Sequence, residues 1–154
     1  MKEKVEEIMT RDVITAKEYD SLLEVATLLK ENSISGVPVL NEHEEVVGVI
    51  SAADILKLLD DFHWYTPFFS AMDILHMHSD ELQDIKQSIE KASNMKVKDA
   101  MSKDPKTIPP GALIDDAAQI MCSTGFNRLP VVDETYNLVG IIARADIIES
   151  VSGI

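Results

Sequence analysis

The stretches GVISAAD, residues 48–54, and GIIARAD, residues 140–146, are two versions of one pattern placed 92 positions apart. Working outward from them, the chain aligns with itself at the same shift, without a gap, from about residue 4 to residue 55. The matching pairs are Lys4-Val5 with Lys96-Val97, Met9 with Met101, Asp12 with Asp104, Pro38-Val39 with Pro130-Val131, and Ala53-Asp54-Ile55 with Ala145-Asp146-Ile147. Chance does not hold one register over that length, so the chain contains a duplication.

Each copy predicts the same order of elements, β-α-β-β-α. In the first copy we expect a short strand at 13–15, strands at 36–40 and 46–50, and a second helix from about Ser51. In the second copy the paired strands are expected at 129–132 and 138–142, with the second helix from about Ala143. The apolar residues that give the first helix of each copy its helical spacing are Leu22, Val25, Ala26 and Leu29, and Ile114, Ala117, Ala118 and Met121.

The duplication predicts three segments: a first repeat at 1–59, an insertion at 60–95, and a second repeat at 96–154. The insertion holds five of the eight aromatic residues, namely Phe62, Trp64, Tyr65, Phe68 and Phe69. Leu82, Ile85 and Ile89 predict an amphipathic helix in it. We expect this partly helical segment to pack within a dimer, and the competing interpretation is that it binds a protein partner.

The ordered set of motifs, found twice in register, resembles CBS domains. It consists of an opening such as Glu7-Ile8-Met9-Thr10, a Val-Pro-Val strand, and a Gly-x-Ile-x-x-x-Asp-Ile close. The resemblance implies an α/β (α+β) fold in which two repeats, each with a three-stranded sheet, pack as a pseudo-twofold sandwich and associate as homodimers. It further implies a non-catalytic regulatory module that binds AMP, ADP or ATP, and less often S-adenosyl methionine, between the repeats.

Ser51 and Asp54 are the sharpest functional signal. GVISAAD resembles the family's ribose-binding signature, Gly-x-x-Thr/Ser-x-x-Asp, in which the carboxylate accepts hydrogen bonds from both vicinal ribose hydroxyls. A Ser-x-x-Asp sequence at a helix start is also a capping box, which satisfies the first backbone N–H groups without any ligand. The motif alone leaves both interpretations open.

The second copy has Ala143 in place of the hydroxyl residue but keeps Asp146. A reciprocal capping box needs both partners, so the retained acid suggests a role of its own, although an acid in a first turn also stabilises the helix dipole. The loss at Ala143 weakens the second site. Arg144 partly compensates, because a guanidinium can hold a phosphate with two hydrogen bonds.

The resemblance implies that each site combines residues of both repeats. One site joins Ser51 and Asp54 to Lys106, Phe126, Asn127 and Arg128, and the other joins Arg144 and Asp146 to Thr10, Ile14, Ile34 and Ser35. The first is better equipped, although Phe126 could instead pack in the core and Arg128 could form a surface salt bridge. Pro38 and Pro130 should lie in edge strands or begin a strand. The backbone groups of Ser35-Gly36 and Asn127-Arg128 would then be free to pair with a base.

The formal net charge of −13 argues against nucleic acid and anionic membranes as partners. No apolar run is long enough to span a bilayer and no signal sequence is recognisable, so we expect a cytoplasmic protein. Cys122 is interpreted as a small packing residue. His63, His76 and His78 lack the spacing of a metal motif, and no catalytic set or prosthetic-group motif is recognisable. The alternative function is a ligand-free dimerisation scaffold whose aromatic insertion holds a protein partner.

Overall fold

The computed structural model describes residues 2–60, 90 and 94–153, and each repeat has the predicted order β-α-β-β-α after a short first helix that the sequence did not predict. The aromatic cluster, the predicted helix of the insertion and the three histidines His63, His76 and His78 lie outside the described residues. In the first repeat the elements are α1 (Val5–Ile8), β1 (Ala16–Lys17), α2 (Leu22–Glu31), β2 (Gly36–Leu40), β3 (Val46–Ser51) and α3 (Ala52–Asp60). In the second they are α4 (Val97–Ala100), β4 (Ser102–Lys103), α5 (Ile114–Thr124), β5 (Arg128–Val132), β6 (Leu138–Ala143) and α6 (Arg144–Ser152).

The long helices form where apolar residues recur on one face. Leu22, Val25 and Leu29 of α2 are buried, as are Ile114, Ala117 and Met121 of α5. Ser21 caps α2, since its hydroxyl oxygen accepts a hydrogen bond from the backbone N–H of Glu24 at 3.1 Å. Gly125 ends α5 in the left-handed conformation, φ 79°. The apolar spacing and the residues at the helix ends together account for α2 and α5, the two helices that the sequence predicted from spacing alone.

The first sheet has the strand order β1-β2-β3-β4. It therefore contains a fourth strand beyond the three that the resemblance implied, and that strand comes from the start of the second repeat. The second sheet pairs β5 with β6 in antiparallel register, with Leu129 opposite Ile142 and Val131 opposite Gly140. Two isolated bridges extend it, one parallel between Ile108 and Val131 and one antiparallel between Thr10 and Ile141.

The strand predicted at 13–15 is wrong, because these residues have no regular structure and the strand is Ala16–Lys17. The second repeat shows the physical reason at the equivalent position. The N–H of Ile108 donates to the carbonyl of Pro130 and the N–H of Val132 donates to the carbonyl of Ile108. Residues before Ile108 would face the nitrogen of Pro130, which has no hydrogen to donate, so the ladder ends there.

The prediction that proline strands lie at a sheet edge or begin at the proline is wrong for Pro38. It is the third residue of β2, which lies between β1 and β3. A proline is tolerated there because β1 is only two residues long and requires few donors from β2.

The chain divides into two compact units, and neither is simply one repeat. Unit 1 comprises the described residues of Met1–Thr15, Leu40–Gly48 and Lys103–Ile154, and unit 2 those of Ala16–Val39 and Val49–Ser102. The boundaries 1–59, 60–95 and 96–154 stay a prediction about the duplication. The opening segment of each repeat, called here its arm (residues 2–10 and 94–102), belongs to the unit that holds most of the other repeat.

The arm of the first repeat is tightly integrated into unit 1. Val5 is fully buried, and its N–H donates to the carbonyl of Ala112 at 2.8 Å. Thr10 and Ile141 exchange two backbone hydrogen bonds, each of 2.9 Å. The larger of the two clusters of buried residues described in unit 1 consists of Val5, Met9, Ile108, Ile114, Ala117, Met121, Leu129, Val131, Ile142 and Ile147, and the smaller one of Leu40, Val46 and Val132.

Unit 2 is built in the same way around buried residues of α2, β2 and β3. The arm of the second repeat contributes Val97, which is fully buried and whose N–H donates to the carbonyl of Asp20 at 2.9 Å. The remaining buried residues among those described are Ala16, Ser21, Leu22, Val25, Leu29, Val37, Pro38, Val39 and Ile50. Each hydrophobic core is therefore completed by a valine from the opening of the other repeat.

Candidate functional site

Ser51 and Asp54 lie at the junction of β3 and α3 in unit 2, and both are half-buried. Oδ2 of Asp54 accepts hydrogen bonds from the N–H of Ser51 at 2.9 Å and from the Ser51 hydroxyl at 3.1 Å. The N–H of Asp54 in turn donates to Ser51 Oγ at 3.4 Å. The capping box is thus formed, and it fixes the orientation of the carboxylate at the helix start.

The second carboxylate oxygen of Asp54, Oδ1, is the hydrogen-bond acceptor that the capping box leaves unused. Within the described part of the chain, all of the hydrogen bonds of Asp54 go to Oδ2 or come from its backbone N–H. Oδ1 therefore keeps its acceptor capacity toward the rest of the described residues. A carboxylate held in this way can accept hydrogen bonds from a ligand without giving up its capping role.

Asp146 occupies the equivalent position at the junction of β6 and α6 in unit 1. Its Oδ2 accepts a hydrogen bond from the N–H of Ala143 at 2.8 Å. Half of the capping box thus survives the loss of the hydroxyl, and the retention of Asp146 already has a structural explanation. The argument that an acid without its hydroxyl partner needs an independent role does not hold here.

The same bond recurs at other helix starts of this chain. Glu7, Asp99 and Asp116 each accept a hydrogen bond from the backbone N–H three residues earlier, at 2.6, 3.3 and 3.2 Å. An acid at the third helical position is therefore this protein's general device for closing a helix N-terminus. The position of Asp54 or Asp146 alone does not identify a ligand site, and only Ser51 adds a second side-chain group.

The loops before β2 and β5 are attached to the same helix starts. The carbonyl of Ser35 accepts from the N–H of Ala52 at 2.9 Å, and the carbonyl of Asn127 accepts from the N–H of Arg144 at 2.8 Å. The prediction that these backbone groups are free is wrong for the two carbonyls.

The side chains predicted to contact a base differ in exposure. Phe126 is 38% exposed and lies outside the buried core, which excludes the alternative that it is a core residue. Ile14 and Ile34 are half-buried, and Thr10 and Ser35 are exposed. Phe126 thus exposes part of its side chain to solvent, and Ile14 and Ile34 are more covered by protein.

The predicted phosphate-binding cations also differ. Lys106 and Arg144 are exposed, and Arg128 is half-buried as the first residue of β5. Arg144 begins α6, where its backbone N–H is already used by Asn127. Unit 1 thus brings Asn127, Arg144 and Asp146 to the start of α6 and pairs Thr10 with Ile141 of β6, and unit 2 brings Ser35, Ser51 and Asp54 together. The combination of residues from both units into one site stays a prediction.

A groove with a volume of about 480 Å³ opens beside Asp146 in unit 1. It is lined by Glu3, Ile8, Asp146, Glu149, Ser150 and Gly153. The Ser150 hydroxyl donates to Glu3 Oε2 at 2.6 Å and so links the first arm to α6. Residues from both ends of the described chain therefore line the groove.

Two classes of site find no support in the described residues. No group of three or more His, Cys, Asp or Glu side chains in the described ranges is arranged to hold a metal ion. None of the described helices combines the length and the apolar character needed to cross a bilayer.

Cys122 is exposed on α5, so the prediction that it is a packing residue is wrong.

A model of the CBS domain matches residues 5–61 and 97–153, which include both repeats. The chain belongs to the CBS-domain family. Its repeats form a CBS pair, and the predicted mixed α+β fold is confirmed by solved CBS pairs. The CBS-pair protein CBSX2 from Arabidopsis thaliana is similar with a TM-score of 0.77 at 26% identity, over 99% of this chain and 96% of that one. The structure of CBSX2 in complex with AMP has a TM-score of 0.71 at 26% identity, covering 97% and 96%.

Relatives of this CBS pair include single-module and longer proteins. The uncharacterized protein MJ1426 of Methanocaldococcus jannaschii is 33% identical over 95% of this chain and 89% of its own length. The CBS domain-containing protein CBSX1, chloroplastic, of Arabidopsis thaliana is 31% identical over 95% of this chain, which spans 63% of that relative. The chain spans 44% of MJ0188 of M. jannaschii, at 34% identity.

Three residues near the second CBS motif were missed by sequence reasoning. Glu149 and Ser150 follow Asp146 by three and four positions and therefore share its side of α6. That spacing was a usable signal. Glu3 had none, because nothing in the duplication indicates that the first arm lies beside the last helix.

Proposed function

We propose that this CBS pair is a non-catalytic regulatory module that binds an adenosine nucleotide, AMP, ADP or ATP. The observation that carries the proposal is the Ser51–Asp54 junction. There the capping bonds hold one carboxylate oxygen, while the other makes no hydrogen bond within the described part of the chain. The AMP complex of CBSX2, a similar CBS pair, supports the choice of ligand class.

The proposed binding chemistry divides among three kinds of group. Oδ1 of Asp54 accepts hydrogen bonds from the vicinal ribose hydroxyls, which as a charge-assisted pair are stronger than neutral ones. Phe126 offers a ring face to the adenine, with the Asn127 backbone beside it. Lys106 and Arg128 neutralise phosphate charge, which a chain of net charge −13 would otherwise repel.

The second proposed site is centred on Asp146, with Arg144, Thr10, Ile14, Ile34 and Ser35. It lacks a hydroxyl at Ala143, and its acid has the same capping bond as Asp54. We therefore expect weaker nucleotide binding there than at Asp54.

Calorimetric titration of AMP, ADP, ATP and S-adenosyl methionine tests this function. The variants Asp54→Asn and Asp146→Asn keep an oxygen for the capping N–H but replace the other carboxylate oxygen with an amide nitrogen. Asp116→Asn is the matched control, because Asp116 caps α5 in the same way and belongs to neither motif. We expect Asp54→Asn to lose most nucleotide affinity, Asp146→Asn to lose less, and Asp116→Asn to bind normally.

Ligand binding can also be read as stability. A ligand at about 100 times its Kd stabilises the native state by roughly 2.7 kcal/mol, which is measurable as a shift in Tm. If none of the four compounds shifts the Tm or gives heat, the proposed function is wrong.

The second candidate is a ligand-free dimerisation scaffold. It is favoured by the capping bonds of Asp54 and Asp146, which account for both acids without a ligand. Ile148 and Val151, three residues apart on α6, are 62% and 61% exposed. Neighbouring exposed apolar residues of this kind are typical of a surface that binds a partner. Light scattering that gives the dimer mass, together with no adenosine binding, would support this candidate; a monomer that binds nucleotide would exclude it.

A further inference from the structure

The long first helices of the two repeats, α2 and α5, end with different hydrogen bonds. At the end of α2, the N–H of Ile34 donates to the carbonyl of Leu29 at 3.0 Å. The N–H of Ser33 donates to the carbonyl of Lys30 at 3.3 Å. These two bonds define a Schellman motif, which ties the residue after the left-handed position back to the helix. Ile34, held in this way, is half-buried.

The end of α5 has the simpler αL motif. The N–H of Gly125 donates to the carbonyl of Met121 at 2.9 Å, which is the single backbone bond of that motif. Phe126 corresponds to Ile34 in the duplication, but its N–H donates to Thr124 Oγ1 at 3.3 Å. Phe126 is 38% exposed. The residue after the turn is therefore held by a side chain here and by the helix backbone in the first repeat.

The Thr124 hydroxyl is itself fixed by the helix. It donates its hydrogen to the carbonyl of Ile120 at 2.6 Å and accepts the N–H of Phe126 on its oxygen. A hydroxyl can do both at once, because it has one hydrogen and two lone pairs. Thr124 thus engages the amide that a Schellman motif would direct to the carbonyl of Met121.

The equivalent of Thr124 in the first repeat is Asn32, and it does not take this role. The side-chain amide of Asn32 donates to the carbonyl of Leu28 at 2.8 Å, much as Thr124 donates to its own helix. The N–H of Ile34 nevertheless goes to the backbone. The side chain that holds the amide and the exposed aromatic ring therefore occur together, in the second repeat.

We propose that Thr124 is a positioning residue for nucleotide binding, which keeps Phe126 in the orientation that contacts the base. By engaging the amide of Phe126, it prevents α5 from ending in a Schellman motif that would draw the ring toward the helix. This inference rests on the proposed function, since it takes Phe126 as the residue beside the adenine. Without the hydroxyl, fewer molecules hold the ring ready, and the apparent affinity falls by that fraction.

Calorimetric titration tests this role with whichever of AMP, ADP and ATP binds the wild type most tightly. Every variant carries Asp146→Asn, so that the Asp54 site is measured by itself. Thr124→Val keeps the β-branched shape and removes the hydroxyl, and we expect about fivefold weaker binding, the effect of one ordinary hydrogen bond. Thr124→Ser restores the hydroxyl and should bind within twofold of the parent. Binding of Thr124→Val within twofold of the parent would overturn the proposal.

Ser123→Ala is the matched control. The Ser123 hydroxyl also donates to the carbonyl of Ile120, at 3.1 Å, but the amide of Phe126 is bound to Thr124. We expect Ser123→Ala to bind within twofold of the parent. Equal losses for Ser123→Ala and Thr124→Val would show that general loosening of the helix end sets the affinity, and the inference would fail.

A double-mutant cycle shows whether Thr124 acts through the ring. Phe126→Ala removes the contact with the base and should weaken binding about tenfold. In that background Thr124→Val should weaken binding by less than twofold more, because no ring is left to position. A further fivefold loss there would mean that Thr124 acts by another route, and the role assigned to it would be wrong.

A crystal structure of Thr124→Val gives a result that does not depend on any ligand. We expect the N–H of Phe126 to bind the carbonyl of Met121, as the N–H of Ile34 binds that of Leu29, with the ring less exposed than in the wild type. A ring that keeps its position would contradict the proposal.

The failure of the inference is distinguishable from that of the proposed function. If nucleotide binding depends on Asp54 while Phe126→Ala and Thr124→Val both leave it within twofold, the proposed function stands and the inference is wrong. If AMP, ADP and ATP all fail to bind the wild-type chain, the proposed function and the inference fall together.

Discussion

At the scale of single residues, the glycine of the second motif has a steric role that its position in a ligand signature would not suggest. A Cβ built on Gly140 would lie 2.5 Å from Met9 Sδ and 2.9 Å from the carbonyl oxygen of Thr10. The first arm can approach β6 only because residue 140 has no side chain. This glycine therefore serves the packing of the arm.

We expect Gly140→Ala to destabilise the protein by about 1–3 kcal/mol, because the backbone of Thr10 must move to admit the methyl group. Urea denaturation followed by circular dichroism measures the change. Gly111→Ala is the control, since no heavy atom lies within 4 Å of the Cβ it would add. Equal free energies of unfolding for Gly140→Ala and the wild type would contradict this, because they would mean that the first arm can move away from the methyl group without loss of stability.

Ser33 shows the opposite case, a side chain where the backbone favours glycine. It follows α2 with φ 53°, and the equivalent residue after α5 is Gly125 with φ 79°. A non-glycine residue in the left-handed region is strained, so we expect Ser33→Gly to stabilise by about 0.5–1 kcal/mol. Gly125→Ser should destabilise by a similar amount. Thermal unfolding of the two variants checks the pair, and opposite signs to these would contradict the interpretation.

At the scale of elements, the sequence predicted those that local pattern determines. The strand Gly36–Leu40 was predicted with its observed bounds, and the residues predicted on the apolar faces of α2 and α5 are buried except Ala26 and Ala118, which are half-buried. The strand at 13–15 was misplaced because its position depends on which residues of β2 can pair with it, and strand propensity does not contain that information.

In the candidate site, too, the sequence predicted the contacts between neighbouring residues but not those between distant ones. The Ser51–Asp54 contact follows from four consecutive residues at a strand–helix junction, so the sequence was sufficient. Glu3 beside Ser150 joins residues 147 positions apart, and the 92-residue repeat cannot indicate such a pair. The sequence repeat shows that two copies exist, but not that each copy completes the other's unit.

The hairpin turn between β5 and β6 gives an element-scale prediction about pH. Hydrogen bonds to the Asp133 carboxylate, above all the one from the backbone N–H of Asn137, lower the pKa of this group below its usual 3.8. A lowered folded-state pKa means that the turn's contribution is present above the unfolded pKa and is lost as pH falls through the folded one. Stability should therefore decline with acid partly through Asp133.

Asp133→Asn should make that decline shallower without dismantling the turn. The first repeat already has Asn41 at this position, and its Oδ1 accepts from the N–H groups of His43 and Glu45 at 2.9 Å each. Urea denaturation at several pH values from neutral to below the usual aspartate pKa would measure the difference. Parallel pH profiles for the wild type and the variant would contradict the role of this carboxylate.

At the scale of the whole molecule, the sequence repeats and the structural units do not coincide, because each repeat contributes its arm to the other unit. Val5 belongs to the first repeat but is fully buried in unit 1 with Ile108, Ile114 and Ile142 of the second. Val97 has the inverse arrangement in unit 2. A substitution of a buried residue in the arm of one repeat should therefore destabilise mainly the core formed by the other repeat.

We expect Val5→Ala to destabilise by about 2 kcal/mol, from lost burial and the cavity that remains. Native-state hydrogen exchange should show the greater loss of protection at Leu129, Val131 and Ile142, although they lie more than a hundred positions away. Val97→Ala is the matched control, and it should reduce protection mainly at Val25, Val37 and Ile50. If each substitution instead reduced protection mainly within its own repeat, the repeats would be the cooperative units, and the exchanged arms would be appendages that add little to either core.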